Sequence, residues 1–218
     1  MGIESLRWIG HASFVLNAEE MNIYIDPFGL EKSYGNADII FVTHPHFDHF
    51  SIEDIRKVAT GKTVIFAPHE VAEKLHGFRV AMVEPGKEYA HGALHVSTVP
   101  AYNVVHERLK NHPKEKGWVG YRISTEDGSI YHAGDTDFIP EMNAIKADIA
   151  LIPMGGTYVM DPDEAITAAE SIDAGEIVPM HYKALLGREG STSAEEKFRK
   201  RVSNCRIMEE IQTARYSF

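Results

Sequence analysis

The strongest indication of the fold of this chain is the segment Thr43-His44-Pro45-His46-Phe47-Asp48-His49-Phe50. It has the pattern His-x-His-x-Asp-His over residues 44–49, which brings four potential metal ligands into one short segment. The apolar residues 39–42 before it predict a buried strand, and the residues after it predict a helix over 51–60 that Gly61 ends. Loops between the strands and helices of α/β proteins commonly carry functional groups.

The spacing of these ligands favours a shared metal ion. Side chains alternate between faces in an extended segment, so His44 and His46 point the same way. Pro45 keeps the segment extended, because a residue before proline avoids the helical region. Asp48 and His49 follow as the chain turns and can face a second ion. A loop of surface histidines is the alternative, but it would not explain why all four groups lie beside an apolar strand.

Composition limits the possible classes of protein. The chain has 218 residues, of which 44% are hydrophobic and 25% charged, as in ordinary globular proteins, and we expect one domain over residues 1–218. A net charge of -10 argues against a nucleic-acid partner, because phosphate binding needs a basic surface. With Cys205 as its single cysteine, the chain has neither an internal disulfide nor a thiolate metal cluster. We see no signal peptide and no run of ~20 apolar residues, so we expect a cytoplasmic protein without a membrane span.

Short β-branched and aromatic segments separated by turn residues predict many strands. They cover residues 6–9, 13–16, 22–25, 39–42, 63–67, 79–83, 94–99, 118–124, 129–132, 149–154 and 177–180. Further helices are predicted from residue 68 to about 77, over 162–172 with Asp161 as cap, and over 192–202. Two β-rich halves with flanking helices favour two packed sheets covered by helices.

Two more candidate ligands end predicted strands in the second half of the chain. Asp135 follows the strand at 129–132, and His181 follows the strand at 177–180. Side chains at the ends of different strands can meet at one edge of a fold, and a carboxylate such as Asp135 has two oxygens with which to bridge two ions. Imidazole and carboxylate ligands suit zinc, manganese, iron or nickel rather than calcium.

With these residues in place, the chain resembles the metallo-β-lactamase fold superfamily of metal-dependent hydrolases. Within it, the chain is similar to the branch of L-ascorbate-6-phosphate lactonase and N-acyl-phosphatidylethanolamine phospholipase D. The residues that carry the wider resemblance are Asp26, His44, His46, Asp48, His49, Asp135 and His181. The segments 8–13, 131–136 and 179–182 carry the narrower one.

The resemblance implies an α/β (α+β) fold, a four-layer αββα sandwich with one or two divalent ions at one edge. It implies that His44 and His46 hold one ion, that Asp48, His49 and His181 hold the other, and that Asp135 bridges them. Asp26 would brace the ligand loop from behind, and His11 would line the pocket. The ions expected are zinc, manganese or nickel.

One position departs from the superfamily pattern. A histidine usually follows the strand before the bridging aspartate, whereas this chain has Asn103 there. We expect Asn103 as the third ligand beside His44 and His46, with His112 and His106 in the following loop as alternatives.

The predicted activity is hydrolysis of a phosphodiester, a phosphorylated lactone or a related ester by metal-activated water. Asp48 or Asp135 would accept the proton, and His11 or His112 would stabilise charge or protonate the leaving group. Lys183 and Tyr158 are candidate contacts for a small substrate that carries negative charge. The simpler alternatives are that Lys183 is only solvated and that Tyr158 belongs to an ordinary turn. A non-catalytic metal- or metabolite-binding module, a nuclease and a homo-oligomer stay open as alternatives.

Overall fold

Two six-stranded β-sheets make up the centre of the computed structural model, which describes residues 5–212. In each sheet the strands neighbour one another in chain order. The first sheet contains β1 (Arg7–Gly10), β2 (Ser13–Ala18), β3 (Met21–Ile25), β4 (Ala37–Phe41), β5 (Ala59–Pro68) and β6 (Arg79–Val83). The second contains β7 (Glu88–His91), β8 (Leu94–Pro100), β9 (Val119–Thr125), β10 (Gly128–His132), β11 (Lys146–Pro153) and β12 (Asp173–Met180).

Each sheet begins with antiparallel strands and ends with parallel ones. Strands β1 to β3 and β7 to β10 pair antiparallel, whereas β3 to β6 and β10 to β12 pair parallel. Three parallel crossovers contain the helices α1 (Ile52–Val58), α2 (His69–Ala72) and α3 (Pro162–Ser171), and α4 (Lys183–Arg201) follows β12. Short 3₁₀ helices lie at Lys114–Lys116 and Pro140–Ala144.

Alternation along β4 shows how the layers are held together. Ile39 and Phe41 face the second sheet, where the Phe41 ring lies 4.9 Å from the ring of Tyr121. Ile40 faces the other way and packs with Ile55 of α1. Each fully buried side chain of this size contributes about 1.5–3 kcal/mol. Because both faces of the sheet are buried, the chain forms helix, sheet, sheet and helix layers, and the predicted αββα sandwich is confirmed.

Some predicted boundaries were wrong. Helix α1 ends at Val58 instead of residue 60, because Ala59 is already extended and pairs with Ala37 of β4. Gly61 therefore lies within β5 and does not end the helix. Helix α2 ends at Ala72, short of residue 77.

Two other elements differ from the prediction. Strand β7 was missed, since its sequence Glu-Tyr-Ala-His lacks the β-branched residues that indicate a strand. The last helix begins at Lys183 and not at residue 192, and Gly187, at φ 64° and ψ -176°, interrupts it.

Within residues 5–212, no helix combines the length and the apolar content that crossing a bilayer requires.

Candidate metal centre

The polar residues of the motif lie where several strands end at one edge of the sandwich. The motif loop follows β4, and Asp26 follows the parallel neighbour β3. Asp135 and His181 follow β10 and β12 of the other sheet. Parallel strands bring their carboxyl ends to the same edge, so residues far apart in the sequence meet there.

Three histidines form the first triad, which we define as His44, His46 and His112. Each offers a ring nitrogen, and these nitrogens lie within 4.8 Å of one another. His44 Nε2 is 3.1 Å from His46 Nδ1. On its other side, His44 Nδ1 lies 2.9 Å from Thr43 Oγ1, which leaves Nε2 to face the centre. The pairing of His44 with His46 is the one expected from the spacing.

Four residues form the second cluster, which we define as His11, Asp48, His49 and His181. Their potential ligand atoms also lie within 4.8 Å of one another. Asp48 Oδ2 is 3.0 Å from His11 Nε2, 3.5 Å from His181 Nε2 and 3.9 Å from His49 Nε2. His11 thus lies directly against the predicted ligands of the second ion.

Asp135 lies between the two groups. Its Oδ2 is 3.3 Å from His112 Nε2 in the first triad and 3.2 Å from His181 Nε2 in the second cluster. Its Oδ1 is 3.2 Å from His49 Nε2. One buried carboxylate therefore faces both groups, which is the position that a bridging ligand needs.

The third histidine of the first triad is His112, in the place for which Asn103 was expected. The Asn103 amide is used by other groups: its Oδ1 is 2.8 Å from His112 Nδ1, and its Nδ2 donates to Asp137 Oδ1 at 3.0 Å. Asn103 therefore lies behind His112 and contacts the nitrogen that faces away from the centre. His106, the other alternative, is exposed.

Asp26 is fully buried behind the motif loop. Its Oδ1 accepts from the Thr43 backbone N–H at 2.8 Å, and its Oδ2 accepts from Thr43 Oγ1 at 2.7 Å. The same Oδ2 lies 2.7 Å from His49 Nδ1. These contacts fix the ring of His49 with Nε2 toward the centre, as histidine ligands are usually fixed by a carboxylate on their other nitrogen.

Three residues of the site have left-handed backbone conformations. The φ angles are 54° at His11, 45° at Asp26 and 61° at His181. Such conformations cost non-glycine residues of order 1–3 kcal/mol each and persist only where surrounding contacts hold them. Here the His181 backbone N–H donates to the His11 carbonyl at 3.0 Å, and Trp8 Nε1 donates to the same oxygen at 2.9 Å.

Burial controls the electrostatics of the first triad. It lowers the pKa of His44 well below the usual value, and the nearby His49 acts in the same direction. Burial, followed by the neighbouring His112, lowers the pKa of His46 to about 4. Both imidazoles are therefore neutral at pH 7, the form that binds a metal ion.

Carboxylates dominate the second cluster. Burial disfavours charge on His49 and His181, but the neighbouring carboxylates, Asp135 first and then Asp48, together outweigh it. The pKa of His49 is therefore raised well above its usual range and that of His181 to about 9. Burial also disfavours charge on Asp48 and Asp135, yet the surrounding histidines hold the pKa of each carboxyl well below its usual value. Burial lowers the pKa of His11 to about 4.

The donor set fits divalent metal ions. Among residues 5–212, several buried polar atoms that face the centre have no hydrogen-bond partner, although buried polar groups nearly always have one. They are His49 Nε2, His112 Nε2, His181 Nε2 and Asp135 Oδ1. Nitrogen and oxygen donors that converge without mutual hydrogen bonds are suited to zinc, manganese or nickel.

A cavity of about 520 Å³ opens onto these donors. It is lined by His46, Phe47, Asp48, Lys110, Asn111, His112, Asp135 and Tyr158. Tyr158 was predicted as a substrate contact and lies at this cavity. Lys183 does not line it; its Nζ lies 4.8 Å from the ring centre of Trp8. Sequence reasoning missed Lys110, since a single lysine in an irregular loop gives no signal.

Comparison with known proteins agrees with this geometry. A family model described as "Beta-lactamase superfamily domain" matches residues 5–181. A UPF0173 metal-dependent hydrolase of Methanoculleus marisnigri is 38% identical over 187 residues, which cover 81% of this chain and 80% of that protein.

Two solved structures share the fold. A candidate metal-dependent hydrolase from Parabacteroides distasonis superposes with a TM-score of 0.84 at 29% identity, covering 95% of this chain and 93% of the other. Igni18, a metallo hydrolase from Ignicoccus hospitalis, superposes with a TM-score of 0.76 at 25% identity, covering 98% of each chain. The predicted class of enzyme is thereby confirmed, and the chain belongs to the metallo-β-lactamase superfamily of metal-dependent hydrolases.

Proposed function

We propose that this chain hydrolyses a small anionic ester, of the phosphodiester or phosphorylated-lactone class, with one or two divalent metal ions. The observation that carries the proposal is Asp135, which faces both the first triad and the second cluster from the wall of an open cavity. Two ligand groups joined by one carboxylate at the side of a substrate-sized space are typical of metal-dependent hydrolysis.

The roles of the ligands follow from their contacts. His44, His46 and His112 would hold one ion, and Asp48, His49 and His181 the other, with Asp135 shared between them. When bound, the ions supply a Lewis acid that polarises the bond to be cleaved and makes water reactive near neutral pH.

His11 has a different role in this proposal. Its pKa of about 4 leaves the imidazole neutral at pH 7, so the Nε2–H donates to the carboxylate of Asp48 at 3.0 Å. His11 thereby orients Asp48 and lies close enough to the proposed ligands of the second ion to stabilise negative charge that develops during the reaction. Asp48 and Asp135 remain the candidate proton acceptors.

The cavity supports a substrate that is anionic at one end and apolar at the other. Lys110 is the cationic residue of the lining and is exposed at its rim. Phe47 and Tyr158 are also exposed there, by 61% and 40%, and present aromatic rings to the same space. A phosphate or carboxylate could pair with Lys110 while an apolar group contacts the rings.

The test is hydrolysis of a panel of aryl phosphodiesters, aryl esters and phosphorylated sugar lactones, with zinc, manganese or nickel added in turn. We expect metal-dependent turnover that His44→Ala and His181→Ala reduce at least 10²-fold, since each removes a ligand. His69→Ala is the matched control, because His69 is an exposed histidine on α2, outside both ligand groups.

Activity that persists in both ligand variants would refute the mechanism. A chain that binds the ions stoichiometrically and hydrolyses no member of the panel would favour the non-catalytic binding module. The cytoplasmic location and a homo-oligomeric state stay predictions.

A further inference from the structure

A buried ion pair ties the loop that carries His112 to helix α3. Arg108 is only 8% exposed, and its Nε donates to Asp137 Oδ1 at 2.8 Å. Its Nη2 donates to both carboxylate oxygens of Glu164 at 2.8 Å. Glu164 also completes the capping box at the start of α3, where its side chain accepts from the Asp161 backbone N–H. These contacts hold Arg108 against the first turn of α3.

Asp137 connects Arg108 to Asn103 through hydrogen bonds to both side chains. Its Oδ2 accepts from the backbone N–H groups of Val104 and Val105 at 2.8 and 2.9 Å. Its Oδ1 accepts from Asn103 Nδ2 at 3.0 Å as well as from Arg108. Asp137 is 1% exposed, so every partner of this carboxylate is drawn from the protein interior.

The Asn103 amide can adopt only one orientation in these surroundings. Its Nδ2 faces two acceptors, Asp137 Oδ1 and the Tyr158 carbonyl at 3.2 Å, and a flipped amide would place oxygen against oxygen. Oδ1 must therefore point at His112 Nδ1, 2.8 Å away. An amide oxygen only accepts, so His112 carries its proton on Nδ1.

This tautomer leaves the lone pair of His112 Nε2 for the metal centre. His112 Nε2 is the atom that lies 3.3 Å from Asp135 Oδ2 and has no hydrogen-bond partner among residues 5–212. The Asn103 backbone N–H also donates to the His112 carbonyl at 2.8 Å, which holds the two residues in register.

We infer that Arg108 and Asp137 are positioning residues of the metal centre, which select the metal-binding tautomer of His112 through Asn103. The inference rests on the proposed function, because it takes the first triad as a metal site. It also couples that site to the cavity rim, since the same Asn103 amide holds the backbone of Tyr158.

The experiment measures stepwise Co²⁺ and Zn²⁺ affinity by competition with a chromophoric chelator in Asn103→Ala and Arg108→Gln. The matched control is Arg201→Gln. It removes an exposed arginine of α4 that pairs at 3.0 Å with Glu170 of α3, the helix that also carries Glu164. The ring ¹⁵N chemical shifts of His112 in the metal-free protein report which nitrogen carries the proton.

We expect one of the two binding steps to weaken by about 10–100-fold in Asn103→Ala and about tenfold in Arg108→Gln. The other step and the Arg201→Gln control should match the wild type. The ¹⁵N shifts should change from a single Nδ1–H tautomer to a mixture.

Unchanged affinity and an unchanged tautomer in Asn103→Ala would overturn the inference, and so would equal weakening of both steps, which indicates a general loss of structure. If Arg108→Gln does not fold, Arg108→Lys replaces it, since lysine keeps the positive charge but cannot reproduce the contacts of the guanidinium with both Asp137 and Glu164. An unchanged tautomer of His112 and unchanged metal affinity in the Arg108 variant would also overturn the inference. A wild-type chain that binds no metal would instead refute the proposed function.

Discussion

Replacing Asp26 by asparagine should weaken metal binding without unfolding the protein. Asp26 Oδ1 accepts from the Thr43 backbone N–H, which can only donate, so the oxygen of an asparagine must occupy that position. The new NH₂ group then lies where Oδ2 lay, facing Thr43 Oγ1 and His49 Nδ1. The threonine hydroxyl can rotate and accept. In the neutral form of the ring, which is the form that binds a metal ion, His49 Nδ1 can accept only if its proton moves to Nε2.

The magnitude follows from this change of tautomer. His49 Nε2 is the atom that faces Asp135 Oδ1 at 3.2 Å, and a proton on it blocks metal binding. Loss of the carboxylate behind a histidine ligand typically costs 10–100-fold in metal affinity, or about 1.4–2.7 kcal/mol. We expect the free energy of unfolding to fall by about 1–3 kcal/mol, because hydrogen bonds to a charged acceptor become neutral ones.

The assay is metal affinity by chelator competition, together with the ring ¹⁵N shifts of His49. Asp54→Asn is the matched control: Asp54 is 5% exposed and accepts from the Gly29 and Leu30 backbone N–H groups at 2.8 and 3.2 Å, away from the ligands. It should lose similar stability and keep its metal affinity. Wild-type affinity in Asp26→Asn, or an equal loss in Asp54→Asn, would show that Asp26 does not control the metal-binding tautomer of His49.

Three further predictions concern stability and reactivity. Zinc or manganese at 100 times its Kd should stabilise the fold by about 2.7 kcal/mol. In calorimetry this should raise Tm by roughly 5–11 °C, and EDTA should reverse the increase. An unchanged Tm would contradict a bound resident ion. Gly120→Ala should cost about 1–3 kcal/mol in chemical unfolding, since its Cβ would lie 2.6 Å from the carbonyl oxygens of His132 and Ala133, and a fully stable variant would show that β9 and β10 can separate there. Because burial raises the pKa of Cys205 to about 11, its alkylation by iodoacetamide should accelerate about tenfold per pH unit from pH 7 toward 11, whereas a rate that levels off near pH 8.5 would contradict this.

The sandwich and most of the candidate ligands could be predicted because their signals are local. Strands such as β4 alternate over a few residues, and His44 and His46 follow one of them directly. Asp135 and His181 could be predicted for the same reason, since a polar residue just after a buried strand lies at the edge of a sheet.

His112 could be predicted only as an alternative to Asn103. Its loop has no regular structure apart from the short 3₁₀ helix at Lys114–Lys116. The position of the loop depends on Arg108 and Asp137, whose pairing spans 29 residues of sequence. No local periodicity indicates such a contact. Asn103 has the sequence position of a metal ligand, but its amide oxygen accepts a hydrogen bond from His112 Nδ1 instead.

Lys183, a candidate substrate contact with a solvated lysine as the alternative, lies outside the cavity lining. Proximity to His181 in the sequence favoured a substrate contact, but Lys183 begins α4 and its ammonium lies over the Trp8 ring. Lys110 lies in the cavity lining through the same irregular loop that places His112. Substrate contacts on loops depend on tertiary structure more than ligands at strand ends do.

The most direct test of the central claim is an anomalous-scattering map of crystals grown with zinc or manganese. We expect peaks at the first triad and at the second cluster, with Asp135 in contact with both and His112 in contact with the first. Absence of any peak there, or peaks confined to exposed histidines such as His69, would contradict it.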